Sequence, residues 1–322
     1  MSWLGPLTAL VERCYLRPLV ALESIAHYPF HDRVICRVRF STGPPGLLRA
    51  HTGDVTDWFL AQARTLDWLD ALGFPAPRVI RTAGGDLIAS HDGWTGLMLT
   101  FVDGEEAGCA PAQLETIGEY AACLHSLPAG PVGPSRLDPS RTMLARLPLL
   151  EAAEDRVPAA ARSFHRSALE IVRRLASGDR PPAAMLHGDC YPANAVRAPE
   201  GPIVMVDWEG AGRGPAVFEV GYLLLCCHMD RPQLPAMRAD PERIAAVVRG
   251  YARRRRLTDA ELAWLPDAVR YDVVQHAVQA GSFDLGEDRW LEDLWLRKML
   301  ARHAVSAEIA EIARACFLRE RG

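Results

Sequence analysis

Lysine is almost absent from this 322-residue chain. Lys298 is the only one, so every other basic side chain apart from histidine is an arginine. A GC-rich genome favouring arginine codons would explain that bias, yet its chemical consequence stands, because any fixed cation needed before position 298 must be a guanidinium. An excess of basic charge is missing too. With 36 Lys+Arg against 40 Asp+Glu the net charge is -4 and the pI about 6.2, which offers no electrostatic footprint for DNA or RNA. The eight cysteines include no CxxC pair and no zinc-type spacing, so they read as small buried hydrophobes in a reducing compartment. No apolar run is long enough to cross a bilayer: the most apolar stretch, Val217 to Cys227, contains Glu219 and falls far short of the roughly 20 residues required. The N-terminal stretch carries Glu12 and lacks a basic start followed by a long apolar run, so it is not read as a signal peptide. These absences predict a cytoplasmic protein without nucleic-acid or membrane partners. Internal repeats, low-complexity tracts and long linkers are also missing.

What is present begins with a sheet. From Arg33 to Phe40, Val34, Cys36, Val38 and Phe40 alternate against Arg33, Arg37 and Arg39, the period-two signature of a half-buried strand. The turn Gly43-Pro44-Pro45-Gly46 leads into Leu47-Leu48-Arg49-Ala50, which predicts a hairpin. A helix is predicted over 54–72, where Phe59, Leu60, Ala63, Leu66 and Leu69 recur at helical spacing before Gly73 and Pro75. Further strands are expected at 78–82, 87–90 and 97–102. After Gly104 the texture turns helical, with one helix around Leu114 to Leu124 and long Ala-, Leu- and Arg-rich stretches over 142–176 and from Pro241 onwards. A single hairpin, Ala195 to Arg197 and Ile203 to Val206, interrupts them. The fold class predicted is α+β.

The informative passage is LHGDCYPANAVRAPEGPIVMVDWEG. It holds His187-Gly188-Asp189, then Asn194, then Asp207 at the end of an apolar strand. A hairpin between Asn194 and Asp207 is expected to return both to the loop carrying Asp189. Phosphoryl transfer from ATP calls for such a set, because it depends on positioning and on neutralising phosphate charge. One carboxylate accepts the proton of the attacking hydroxyl, and oxygen ligands hold magnesium, a hard cation. On this reading Asp189 is the base, Asn194 and Asp207 are the metal ligands, and His187 buttresses the loop.

That passage resembles the signature of the aminoglycoside phosphotransferase and choline kinase group, HGDxxxxN followed by a strand ending in D[WFY]. Leu124-His125 before a proline, Gly73-x-Pro-x-Pro77, and Gly214-Pro215 ahead of an acidic residue extend the resemblance over roughly positions 30 to 230. It implies a bilobal protein-kinase-like fold: a small antiparallel-sheet nucleotide-binding lobe over 1–103 and a larger, mainly helical lobe over 104–322 with the catalytic loop, metal site and acceptor site. It implies an ATP- and magnesium-dependent kinase acting on the hydroxyl of a small molecule. The lysine of the family's strand is replaced by Arg49, the helix glutamate aligns with Gln62, and no glycine-rich loop occupies 27–32. Thr100 and Val102 fall where relatives contact adenine. Glu219 stands where relatives have aspartate, either bracing the catalytic loop or serving as an ordinary buried glutamate.

For the acceptor, Glu209, Asp284, Glu287, Asp288 and Trp290 offer carboxylates and an aromatic face suited to a cationic or sugar-like molecule, though a solvated acidic helix face explains the later ones equally. Two other readings remain open. One is a non-catalytic nucleotide- or ligand-binding relative, suggested by the missing lysine, glutamate and glycine-rich loop. The other is a metal-dependent hydrolase using His187, Asp189 and Asp207 as ligands.

Overall fold

The computed structural model describes residues 3–28, 33–198, 201–228, 238–284 and 293–321. Contacts within the chain group into two compact units, one of Met1–Glu105, Gly130–Gly133 and Val196–Trp208, the other of Glu106–Ala129, Pro134–Ala195 and Glu209–Gly322.

The first unit opens with helix α1 (Leu4–Tyr15) and strands β1 (Leu19–Tyr28), β2 (Arg33–Phe40) and β3 (Gly46–Thr52), followed by helix α2 (Thr56–Ala71), β4 (Ala89–His91) and β5 (Trp94–Thr100). The five strands form one sheet in the order β1-β2-β3-β5-β4, antiparallel throughout. The alternation in β2 does what the pattern predicts: Val34, Cys36 and Val38 are fully buried, with Cys36 opposite Leu48 and Val34 opposite Ala50. Helix α1 covers this face with Leu7, Leu10, Val11 and Tyr15. Neither α1 nor β1 was anticipated, since β1 exposes Val20 and Ile25 and so lacks a clean alternating pattern.

The segment 78–82 is not a strand of the sheet. It makes an isolated bridge, Val79 to Leu99, because Pro75 and Pro77 remove donors just before it and a turn closes immediately after it through the Thr82 and Gly85 amides. The strands expected at 87–90 and 97–102 lie at Ala89–His91 and Trp94–Thr100. Between them Asp92 and Gly93 both have positive φ, 47° and 75°, the two-residue hairpin turn that an Asp-Gly pair favours.

The two-residue strand β6 (Glu105–Glu106) precedes helix α3 (Pro111–His125). The stretch 142–176 breaks into α4 (Arg141–Leu144), α5 (Leu147–Ala153) and α6 (Arg162–Ala176), because Pro148 and Pro158 can open a helix but not continue one. Strand β7 (Ala183–Leu186) leads to the passage of interest, after which β8 (Ala195–Arg197) and β9 (Ile203–Met205) are hydrogen-bonded neighbours. Strand β10 (Gly212–Pro215) pairs antiparallel with β7. Helices α7 (Ala216–Cys226), α8 (Pro241–Ala252), α9 (Asp259–Gln279) and α10 (Leu294–Arg319) complete the second unit. Every residue of α7 is buried, which explains why it is apolar all round. No helix among the described residues is long and apolar enough to cross a membrane.

Candidate active site

Within the second unit, β7 ends at Leu186 and the chain turns through His187-Gly188-Asp189 into a short 3-10 turn, Pro192–Asn194. Gly188 has φ +82°, and a Cβ there would overlap the backbone carbonyl of Gly210. Glycine is therefore required on two counts, handedness and space. Glu219, in the first turn of α7 and fully buried, accepts the amide protons of His187 at 3.0 Å and Gly188 at 2.5 Å. It also accepts from His125 Nε2 at 2.9 Å. His125, in turn, meets Tyr251 Oη at 2.9 Å, and that hydroxyl accepts from Arg255. Glu219 thus braces the loop and ties it to α3 and α8. Burial pushes its carboxyl upward, but the bond and charge of His125, with the His187 side, outweigh burial and hold it below its ordinary value.

His187 is fully buried, and its Nδ1 accepts the Asp189 amide at 3.2 Å. The Asp189 carboxylate is fixed by three donors. Tyr222 Oη donates to Oδ1 at 2.6 Å, Arg136 Nη2 donates to Oδ1 at 3.0 Å, and Asn194 Nδ2 donates to Oδ2 at 2.7 Å. Burial above all pushes the Tyr222 phenol well above its ordinary value, so it stays a proton donor. Arg136 also donates from Nε to the Gly188 carbonyl at 2.9 Å and pairs with Asp272 at 3.5 Å. Burial works against its charge, but Asp272, Tyr222 and Asp189 overcome it and raise the guanidinium above its ordinary value.

Asn194 is the chain's single asparagine. Its amide nitrogen donates to both the backbone oxygen and the carboxylate of Asp189, so its carbonyl oxygen is the atom that can take a hard cation.

In the first unit, Arg49 on β3 forms an ion pair with Asp207 at 3.2 Å. The arginine is buried, whereas 46% of the Asp207 side chain is exposed. Burial, partly offset by Asp207, lowers the Arg49 guanidinium to about 10, so it remains charged at neutral pH. Asp207 follows β9 with φ +64°, an uncommon conformation for a residue with a Cβ and one that concentrates at functional positions. Trp208 beside it is buried, donates to the Met205 carbonyl at 2.8 Å and meets the Phe74 ring edge-on, which pins the turn. An asparagine oxygen and a carboxylate oxygen are each, by their chemistry, ligands of the hard type that magnesium takes.

Of the remaining predicted residues, Gln62 is buried on α2. Thr100 ends β5 with its amide donating to the Arg78 carbonyl and its hydroxyl accepting the Arg78 amide, so its backbone amide is already engaged. Val102 follows, half-buried. Glu209 lies half-buried in the 3-10 turn Trp208–Gly210, and Asp284 closes the turn Ser282–Asp284. Glu287, Asp288 and Trp290 lie outside the described residues. Among the described residues no three His, Cys, Asp or Glu side chains group as a metal cluster, which gives the hydrolase reading no support.

Sequence reasoning missed Arg136 and Tyr222. Tyr222 had a signal, standing three positions after Glu219 and hence on the same helix face. Arg136 had none, because its partners lie far away in sequence.

Residues 38–258 match the model of the phosphotransferase enzyme family. No curated protein sequence matches the chain. Among solved structures, an amicoumacin kinase in complex with AMP-PNP, Ca2+ and Ami is 14% identical with a TM-score of 0.66, covering 96% of this chain and 93% of that one. A microcompartment-associated aminopropanol kinase is 21% identical with a TM-score of 0.60, covering 95% and 96%. The choline kinase of Streptococcus pneumoniae is 10% identical with a TM-score of 0.61, covering 97% and 99%. At these identities the structural likeness is one of fold, while the family match spans more than half of the sequence. The chain therefore belongs to the phosphotransferase enzyme family, kinases of small-molecule hydroxyl groups with a protein-kinase-like fold.

Proposed function

We propose that this protein transfers the γ-phosphate of ATP to a hydroxyl group of a small molecule, with magnesium as the accompanying cation and Asp189 as the base. The observation that carries the reading is the Asp189 carboxylate, held by three donors on a loop whose amides Glu219 binds. The acceptor oxygen forms the new bond to the γ-phosphorus, the bond from that phosphorus to the bridging oxygen breaks as ADP leaves, and the hydroxyl proton passes to Asp189. When bound, magnesium supplies neutralisation of phosphate charge; Asn194 and Asp207 are the residues to hold it. His187 keeps the loop in shape.

In this reading residues 1–103 bind the nucleotide, with Arg49 in place of a strand lysine, Gln62 as its uncharged helix partner and Thr100 and Val102 beside the adenine. Residues 104–322 carry the catalytic loop, and Glu209, Asp284, Glu287, Asp288 and Trp290 are the residues assigned to acceptor binding. Removing the Arg49 side chain is expected to weaken nucleotide binding by about 1.5–3 kcal/mol, the worth of a hydrogen bond to a charged group. Isothermal titration of Arg49→Ala with a non-hydrolysable ATP analogue checks this.

Amicoumacin, aminopropanol and choline, named with the similar structures, make antibiotics and amino alcohols the first acceptors to test, followed by sugars. ADP release with ATP and magnesium, measured across such a panel, should rise above the acceptor-free rate for at least one compound and disappear on chelation with EDTA. Stabilisation by ATP and magnesium in thermal unfolding, with no ADP release for any hydroxyl compound, would instead favour a nucleotide-binding relative without catalysis.

A further inference from the structure

The lone pairs of the Asp189 carboxylate are unequally used. Each carboxylate oxygen can accept two hydrogen bonds. Oδ1 already takes two, from Tyr222 Oη at 2.6 Å and Arg136 Nη2 at 3.0 Å, whereas Oδ2 takes the Asn194 amide at 2.7 Å. A rotation of the carboxylate would exchange the two oxygens, so the asymmetry matters only if the donors themselves are immobile.

Arg136 is immobile by construction. Its backbone N–H donates to the Gly210 carbonyl at 2.9 Å, and its own carbonyl accepts from Gln275 Nε2 at 2.6 Å. Its guanidinium reaches three acceptors at once, the Gly188 carbonyl, Asp189 Oδ1 and the buried Asp272, and its central carbon sits 5.1 Å from the centre of the Tyr222 ring. A planar fork with several donors can satisfy that set, and a lysine ammonium, a compact point charge, cannot. Both partners also remain open to a ligand, since 32% of the Arg136 side chain and 27% of the Asp189 side chain are exposed.

We propose that Arg136, together with Tyr222, is a positioning residue that saturates Oδ1 of Asp189 and so makes Oδ2 the atom that receives the proton of the acceptor hydroxyl. The inference rests on the reading of Asp189 as the base. It adds which oxygen acts, what holds it, and why the device reaches from the catalytic loop to α9 through Asp272 and Gln275. Loss of the clamp lets the carboxylate turn away from the acceptor, and misplacement of a catalytic group by about 1 Å costs about 100-fold in rate.

The test compares Arg136→Met, Arg136→Lys and Tyr222→Phe with the parent protein, reading kcat, the KM for ATP and thermal unfolding. Because Arg136→Met takes one partner from the buried Asp272 and leaves it His276, the pair Arg136→Met with Asp272→Asn is made as well, which removes that charge and keeps a folded variant in hand. The expected result is a kcat lowered about 100-fold with the ATP KM nearly unchanged, and partial recovery in Arg136→Lys. Arg136→Met combined with Tyr222→Phe should be scarcely slower than the worse single variant, since both act on one oxygen. A folded Arg136 variant with parental kcat overturns the proposal, and so does a double variant whose losses multiply. Asp189→Ala run in parallel separates the two levels: if it still turns over, the base assignment itself fails, whereas a dead Asp189→Ala beside fully active Arg136 variants removes this inference alone.

Discussion

Asp189→Ala is expected to abolish measurable phosphoryl transfer while leaving a folded protein that still binds nucleotide. Loss of a general base alone removes about 10²–10⁴-fold in rate, and here the same carboxylate also orients the acceptor oxygen. The fold should tolerate the change because two of the three donors that lose Asp189 keep another partner. Arg136 retains the Gly188 carbonyl and Asp272, and Asn194 retains the Asp189 backbone oxygen. The remaining deficit is that of an unsatisfied hydroxyl on Tyr222, about 1–3 kcal/mol. Asp189→Asn is the stricter test, since it preserves shape but sets an N–H against donors on one side or the other. Rates come from coupled ADP release and integrity from thermal unfolding with and without ATP; turnover within ten-fold of the parent in either folded variant would end the assignment.

Glu219→Ala should have the largest effect on stability. Its fully buried carboxylate receives two backbone amides of the catalytic loop and the His125 ring, and breaking a buried charged pair by removing one partner costs about 3–5 kcal/mol. Glu219→Gln separates charge from shape: the two loop amides bind different carboxylate oxygens, so the NH2 of a glutamine would face one of those backbone N–H groups. The pH dependence follows from the depressed carboxyl. A glutamate in an unfolded chain titrates near about 4.3, so the stability contributed by Glu219 is fully present above that value and is lost as pH falls through the lower, folded value. Urea titrations at pH 7 and below pH 4 should therefore show the parent converging towards Glu219→Gln in acid. A gap that stays constant across that range would contradict the role given to the charge.

Much of this was legible from residue order alone. The β2 alternation, the β2–β3 hairpin, α2 and the H-G-D-x4-N passage are local patterns, and a local pattern needs only its own neighbours to be read. The misreadings have local causes too. The strand expected from 97 begins at Trp94, because Asp92-Gly93 makes the hairpin turn just before it, and Pro148 and Pro158 divide the long helical stretch. Helix α1 was missed because its partner, the buried face of β2 and β3, is assembled from residues well along the chain.

The order His187, Asp189, Asn194, Asp207, with the bias against lysine that leaves Arg49 as the cation of β3, was written in the sequence, because the reaction class depends on residue types at short spacings. What surrounds those groups was decided by tertiary structure. Arg136 meets Asp189 53 residues away, Tyr222 meets it at 33, His125 meets Glu219 at 94, and Gln275 holds Arg136 at 139. Contacts of that separation leave no periodicity and no motif; they exist only once burial has brought α3, α7 and α9 against one loop and left their polar atoms no partners except each other.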